Sequence, residues 1–443
     1  MCSCGAITLV VGRCLSCQTV WTPEVQKLYG KPDPVCSIFV VLPFGCFGST
    51  VPPKPSSSRA GRGKFAPVAR PVRTFAPCES KPYSMAISPM PIPTEPIGSI
   101  PRPADLLAAM HAHATDKISR EQLLAAEDRA LRDTLALFEQ TGSPIITDGE
   151  QTKSSFATYP LSGLTNLAAD GVVIPFADGH TRQLPRLKAG PFRYGVHAAT
   201  YLKAAQRYAH RPVKQAVISA SALSLLYPQS RLSDYPRDVF LDDLVGGAEQ
   251  DIRECLDAGA ACVQIDFTEG RLALKLDPSA GILKAFVELD NRVLDRFTPE
   301  LRKRIGVHTC PGGDQDSTHS ADVDYAILLP FLFQLNVGRF YIQLASEADR
   351  RRVLKIARGL LRPGQVLFVG VIDPIDPKIE TAEKVRDRVL EAAELIPVEA
   401  LGTTDDCGFS PFADDTSTSR ETAFAKIRAR VEGTRLASEV LGV

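Results

Sequence analysis

Arg304-Ile-Gly-Val-His-Thr-Cys310 is a short apolar run that ends in an imidazole and a thiol. Residues two apart on a strand share a face, so His308 and Cys310 leave this run pointing the same way. Seven comparable runs lie at 94–100, 144–147, 213–220, 261–266, 339–345, 366–373 and 399–405. Helical periods separate them, near 104–113, 120–140, 238–258, 281–295, 324–335, 347–360, 380–395 and 419–441. Short apolar runs alternating with helices signal a parallel α/β architecture. Eight such units over about 350 residues predict a single (β/α)8 TIM barrel. Residues 155–195, punctuated by Gly and Pro, predict a hairpin insertion over one face.

Polar residues collect where these strands stop. Ser99, Glu150, Ser219, Asp266, His308, Cys310, Asp373 and Cys407 all fall at or just past the carboxyl ends of the proposed strands. A barrel builds its active site on that rim. An imidazole and two thiols can hold zinc with a coordination position left open, and zinc deprotonates a bound thiol outright. His308, Cys310 and Cys407 therefore suit activation of a substrate thiol. The competing reading makes each cysteine a small buried apolar residue.

Glu150 and Asp266 end apolar strands, where an unpaired carboxylate is costly. They either receive a substrate ammonium or pair with a nearby arginine, Arg102 or Arg271. Gly98-Ser99 offers backbone N–H groups to a carboxylate, or makes a tight turn. Asp373, Asp376, Asp414 and Asp415 are expected to cap loops. His319 reads as a polar loop residue, with a spare ligand or proton relay as the alternative.

Lysine plus arginine and aspartate plus glutamate both number 51, so formal charge is zero. That balance argues against a nucleic-acid footprint or a polybasic membrane tether. No run of about 18 apolar residues exists, so no membrane-spanning helix is predicted. Of eleven cysteines, seven lie in the first 78 residues, and the remaining four do not form a disulfide framework. A reducing compartment, the cytosol, is expected. Residues 1–84 differ in kind, with a Pro/Ser/Arg-rich stretch from Pro52 to Arg73 that cannot bury enough apolar surface to fold. They are expected to be a disordered extension, or sequence upstream of a true start at Met85 or Met90. The barrel is assigned to 85–443.

Five segments together resemble the catalytic barrel of cobalamin-independent methionine synthase. They are Ile97-Gly98-Ser99-Ile-Pro-Arg102, Asp148-Gly149-Glu150, Val263-Gln-Ile-Asp266 followed by Glu269-Gly-Arg271, His308-Thr-Cys310, and Asp406-Cys407-Gly408. The resemblance covers roughly four-fifths of the chain, from about Thr94 to the C-terminus. It implies zinc on His308, Cys310 and Cys407. It also implies that Ile97, Gly98 and Ser99, with the acids Glu150 and Asp266, hold the amino-acid end of homocysteine. The implied reaction moves a methyl group from a methylated folate to the homocysteine thiol. A free thiol with a pKa near 8.5 is mostly protonated at pH 7, and its full ionisation offsets about 2 kcal/mol.

The pattern is also broken in three places. Leu344 stands where the family carries a glutamate ligand, which leaves Gln343, Glu347 or water for the fourth position. Asp373-Pro-Ile-Asp376 lacks the histidine expected after the seventh strand. A second, N-terminal barrel that assists a polyglutamyl folate is not found, so the methyl donor stays open. Transfer of another alkyl group to a thiol such as coenzyme M, or a zinc-retaining barrel without catalysis, are the alternative readings.

Overall fold

The computed structural model describes residues 92–443, and the expectations for 1–84 lie outside the described residues. Six strands form one parallel sheet: β1 Gln215–Ile218, β2 Val263–Asp266, β3 Ile305–Thr309, β4 Arg339–Ile342, β5 Val366–Ile372 and β6 Leu401–Asp405. Each pairs with its neighbour in chain order. Helices occur between them, including Arg237–Asp257, Gly281–Leu294, Tyr325–Leu332, Arg350–Leu360 and Ala382–Ala393, and Arg420–Leu441 closes the chain. Val217, Ile265, Val307, Phe340 and Ile342 join the large apolar core with the helices. The opposite face of the sheet lines the barrel interior.

The first two expected strands shrink to isolated bridges, Thr94 to Thr403 and Ile146 to Val213. Proline contributes to the loss: Pro96 removes one N–H from within 94–100, and Pro93 and Pro101 bound the run on either side. Pro144 does the same for the second run. The ring nevertheless closes. Glu95 N–H donates to the Thr403 carbonyl at 3.0 Å, and Thr403 N–H to that of Pro93 at 2.8 Å. Ile100 N–H reaches the Gly149 carbonyl at 3.0 Å, and Lys214 N–H that of Ile146 at 2.8 Å. Eight segments therefore complete the predicted (β/α)8 barrel.

The insertion is present as two antiparallel pairs, Leu167–Ala168 with Arg186–Leu187 and Val173–Pro175 with Thr181–Gln183. The second pair docks on the loop after β3, where Ala177 N–H donates to the Thr318 carbonyl at 3.0 Å. Helices Ala199–Gln206 and Glu269–Leu276 were not anticipated from periodicity. No helix among the described residues is long and apolar enough to cross a membrane.

Arg430 on the last helix fastens the closure. Its fully buried guanidinium pairs with Asp405 at the end of β6 and donates to Thr94 Oγ1 at 3.1 Å. Removing one member of a buried ion pair strands the other, which costs about 3–5 kcal/mol. Arg430→Met is expected to lower the urea midpoint accordingly, and adding Asp405→Asn should restore part of the loss. An unchanged midpoint for Arg430→Met would show that the ring closes without this pair.

Candidate active site

Seven of the eight residues expected at the site line one cavity of about 390 Å³ at the carboxyl rim: Ile97, Ser99, Glu150, Asp266, His308, Cys310 and Cys407. Gly98 supplies backbone instead, its carbonyl accepting from Thr147 Oγ1 at 2.8 Å. The ladder between β2 and β3 sets Asp266 opposite His308. Cys407 follows β6, and Gly408 lets that turn close over the first segment, where a Cβ would sit 2.1 Å from Ser99 Oγ. Ser219 does not reach the cavity; its hydroxyl donates to Glu269 Oε1 at 2.7 Å.

One candidate ligand atom each from His308, Cys310 and Cys407 lies within 4.8 Å of the other two. The two sulfurs are 3.3 Å apart. Tetrahedral zinc separates two thiolates by roughly 3.8 Å, so small movements would fit the ion. Both ring nitrogens of His308 are buried without a hydrogen-bond partner, a condition that ordinarily costs about 1–3 kcal/mol per group. An orphaned imidazole beside two thiols fits a metal ion. The two sulfurs lie within hydrogen-bond distance of each other. The Cys407 thiol helps hold Cys310 below the usual thiol range, and Gly312 N–H also donates to Cys310 Sγ at 3.4 Å.

The two acids have different partners from those expected. Arg102 serves carbonyls, donating to those of Glu150 at 2.7 Å and Lys153 at 3.0 Å. Arg271 pairs with Glu347 at 2.9 Å. The cation on Glu150 is Lys153, 3.1 Å from Oε1. Burial pushes the Glu150 carboxyl up, Lys153 pulls it back, and Asp266 and Asp148 push it up again. Asp266 is likewise raised, by burial, against the pull of His308 and the Gln264 amide.

Around the fourth ligand position, Leu344 is buried and Glu347 is engaged by both Arg271 and Gln343. Gln343 lies two residues past Tyr341, which faces His308 across the ladder, so Gln343 projects from the same face. Its Oε1 is buried and unpartnered.

Asp373, Asp376 and Asp415 cap their loops as expected, accepting from Ile375, Lys378 and Ser417 N–H groups. Asp414 instead reaches the cavity and binds Arg182 at 2.9 Å. Sequence reasoning missed the roof: Ile174, Phe176, Thr181 and Arg182 come from the inserted hairpin. It also undervalued His319, which is no free loop residue. His319 lines the cavity, packs edge-on against Phe176 and bonds Ser320 Oγ through Nδ1 at 2.8 Å. Gly312 makes room for it, since a Cβ there would lie 1.7 Å from its Nε2. Burial, helped by Lys275 and Arg271, lowers its pKa to about 4.

The family model for the catalytic domain of cobalamin-independent synthases matches residues 92–433. A methionine synthase of Saccharolobus islandicus is 24% identical over 352 residues, which span 79% of this chain and 96% of that relative. One from Sulfurisphaera tokodaii is 24% identical over 350 residues, spanning 79% and 94%. Among solved structures, a B12-independent methionine synthase from Shewanella in complex with selenomethionine aligns with a TM-score of 0.61 at 19% identity. That alignment covers 80% of this chain and 99% of the other. At such identity the structural likeness speaks for the barrel fold.

The depressed His319 pKa carries a linkage consequence. The folded state prefers the neutral ring, so its contribution is full above the unfolded value of 6.5 and is lost as pH falls through about 4. The amount is up to about 3 kcal/mol at 1.4 kcal/mol per pKa unit. Thermal melts of His319→Gln and the parent protein should therefore converge between pH 6.5 and 4. A gap constant over that range would mean that the ring is not held neutral.

Proposed function

The chain belongs to the cobalamin-independent methionine synthase family and is a methyltransferase, and we propose that it methylates the thiol of homocysteine at a zinc site made by His308, Cys310 and Cys407. The observation that carries this reading is the orphaned His308 imidazole beside two sulfurs at the rim of the cavity. Bound zinc would supply ionisation of an incoming thiol at neutral pH.

The remaining work falls to the chain's own groups. Glu150 Oε1 is taken by Lys153 and Asp266 Oδ1 by the Gln264 amide, 2.7 Å away. Their other oxygens remain for a substrate ammonium. The Ile97-Gly98-Ser99 segment turns at the same rim and is the proposed seat of the carboxylate. Phe156, Phe176, Phe412 and Leu223 give the cavity apolar walls, which exclude water and strengthen the charged contacts inside. The proposed methyl donor is a methylated folate. Relatives called methionine synthase are matched over 94–96% of their length, which supports a reaction run by one barrel.

Purified protein should contain about one zinc per chain, the count for one three-residue site. Cys407→Ser should lose both metal and activity. Glu150→Gln should keep the metal and raise KM for homocysteine roughly tenfold or more, as expected for a charged hydrogen bond. Undiminished methyl transfer by rigorously metal-free protein would sink the zinc mechanism.

A further inference from the structure

Lys153 is a cation beside the cavity with no exposed side chain, and it sits on the turn that carries Glu150. Its ammonium contacts Glu150 Oε1 at 3.1 Å and the Ala216 carbonyl at 3.2 Å. The rings of Tyr159 and Tyr201 lie beside it, with centroids 4.9 and 5.5 Å away. Arg102 clamps the turn from behind through the Glu150 and Lys153 carbonyls. Glu150 itself is in the left-handed region, at φ 55°. That conformation is tolerated because the loop is held at both ends.

Burying an ammonium this deeply is expensive unless its charge serves something. The local charge balance indicates what that is. Glu150 and Asp266 face the cavity with two negative charges, and Lys153 returns one positive charge. Within this trio of groups one negative charge is left over, which a single substrate ammonium cancels. Without Lys153 the two acids would repel each other, and one would take up a proton instead of holding the ligand.

We infer that Lys153 is a specificity-determining residue: it positions Glu150 and leaves the Glu150 and Asp266 pair one net negative charge, which selects thiols bearing one ammonium group. This rests on the proposed roles of Glu150 and Asp266. Lys153 touches neither substrate nor the reacting atoms in this account, and acts through Glu150. Its own charge is secure, because burial lowers its pKa but Glu150 and Asp148 more than compensate.

The test is calorimetric titration of metal-quantified protein with homocysteine and with 4-mercaptobutanoate, which lacks only the amino group. The parent protein should prefer homocysteine. Lys153→Met should cut homocysteine affinity roughly tenfold, the scale of one charge-assisted hydrogen bond, and leave 4-mercaptobutanoate unchanged. In a Glu150→Gln background the same change should cost nothing further, because the partner is already gone. Equal losses for both thiols, a surviving preference in Lys153→Met, or additive losses in the double variant would each overturn the inference. If Lys153→Met does not fold, Glu150→Gln/Lys153→Met removes both charges of the pair and is compared with Glu150→Gln alone. A parent protein that does not distinguish the two thiols would refute the ammonium role of the acids themselves, a separate failure.

Discussion

A carboxylate inside a barrel must be paired, and Glu95 is the group on which this barrel closes. It lies fully buried in the first segment, which pairs with β6 only through an isolated bridge. Tyr341 donates to its Oε2 at 2.6 Å, Arg339 to its Oε1 at 2.5 Å, and Lys214 stands 3.6 Å away. Burial alone would raise its pKa, but Lys214, Arg339 and the hydrogen bonds from Tyr341 and Cys262 together hold it below the ordinary range. Side chains from β4 and from the approach to β1 thus do across the interior what backbone pairing cannot do along the edge. Many barrels fill this space with branched apolar layers. Here the lower layer is ionic, and beside it Tyr341 and Phe368 stack on each other with ring centroids 4.6 Å apart.

That layer reaches the active site through one side chain. Lys214 donates to Gln264 Oε1 at 2.9 Å, and the Gln264 amide passes on to Asp266 Oδ1 and to the Ile97 carbonyl at 3.1 Å. The floor of the cavity therefore fixes an acid and the first segment from below, which frees Asp266 Oδ2 for the space above. On the far side Asp406 plays a comparable part. Its carboxylate accepts from the Leu344, Ala345 and Ser346 amides, each at 2.8 Å. Those bonds tie the end of β4 to the end of β6 and set Cys407 relative to Gln343. Groups at the rim are held in place before any ligand arrives, which is what preorganised electrostatics requires.

The barrel and the gathering of His308, Cys310 and Cys407 at one rim were legible because both leave local marks. Apolar runs ending in polar residues report strand ends, and a strand end tells which rim a residue occupies. The first two strands misled for an equally local reason: apolar character survives proline, but hydrogen-bond donors do not. Partners across the fold left no such mark. Arg102 and Arg271 are close in sequence to the right segments, yet one serves carbonyls and the other Glu347. Lys153 was legible only in principle, three residues after Glu150 in a turn, because its burial depends on Tyr159 and Tyr201 from the insertion and the helix after it. His319 was misjudged because a loop position usually means solvent. Here the insertion covers it.

The insertion also ties the cavity roof to the loops that follow Cys310 and Cys407. Arg182 on the hairpin binds Asp314 and Asp414, and its guanidinium lies 4.1 Å from the Phe412 ring centroid. Asp314 belongs to the loop that leaves Cys310, and Asp414 to the loop that leaves Cys407. The roof is thus pinned to the two segments that carry the sulfurs, and it rests on the strand of β3 loop that positions His319. Any shift of the hairpin would have to move with both sulfur-bearing loops, because Arg182 holds an aspartate on each. Packed interiors transmit such displacements because they have little free volume to absorb them. The position of the hairpin and the placement of the loops after Cys310 and Cys407 are therefore coupled, through a single arginine between two aspartates.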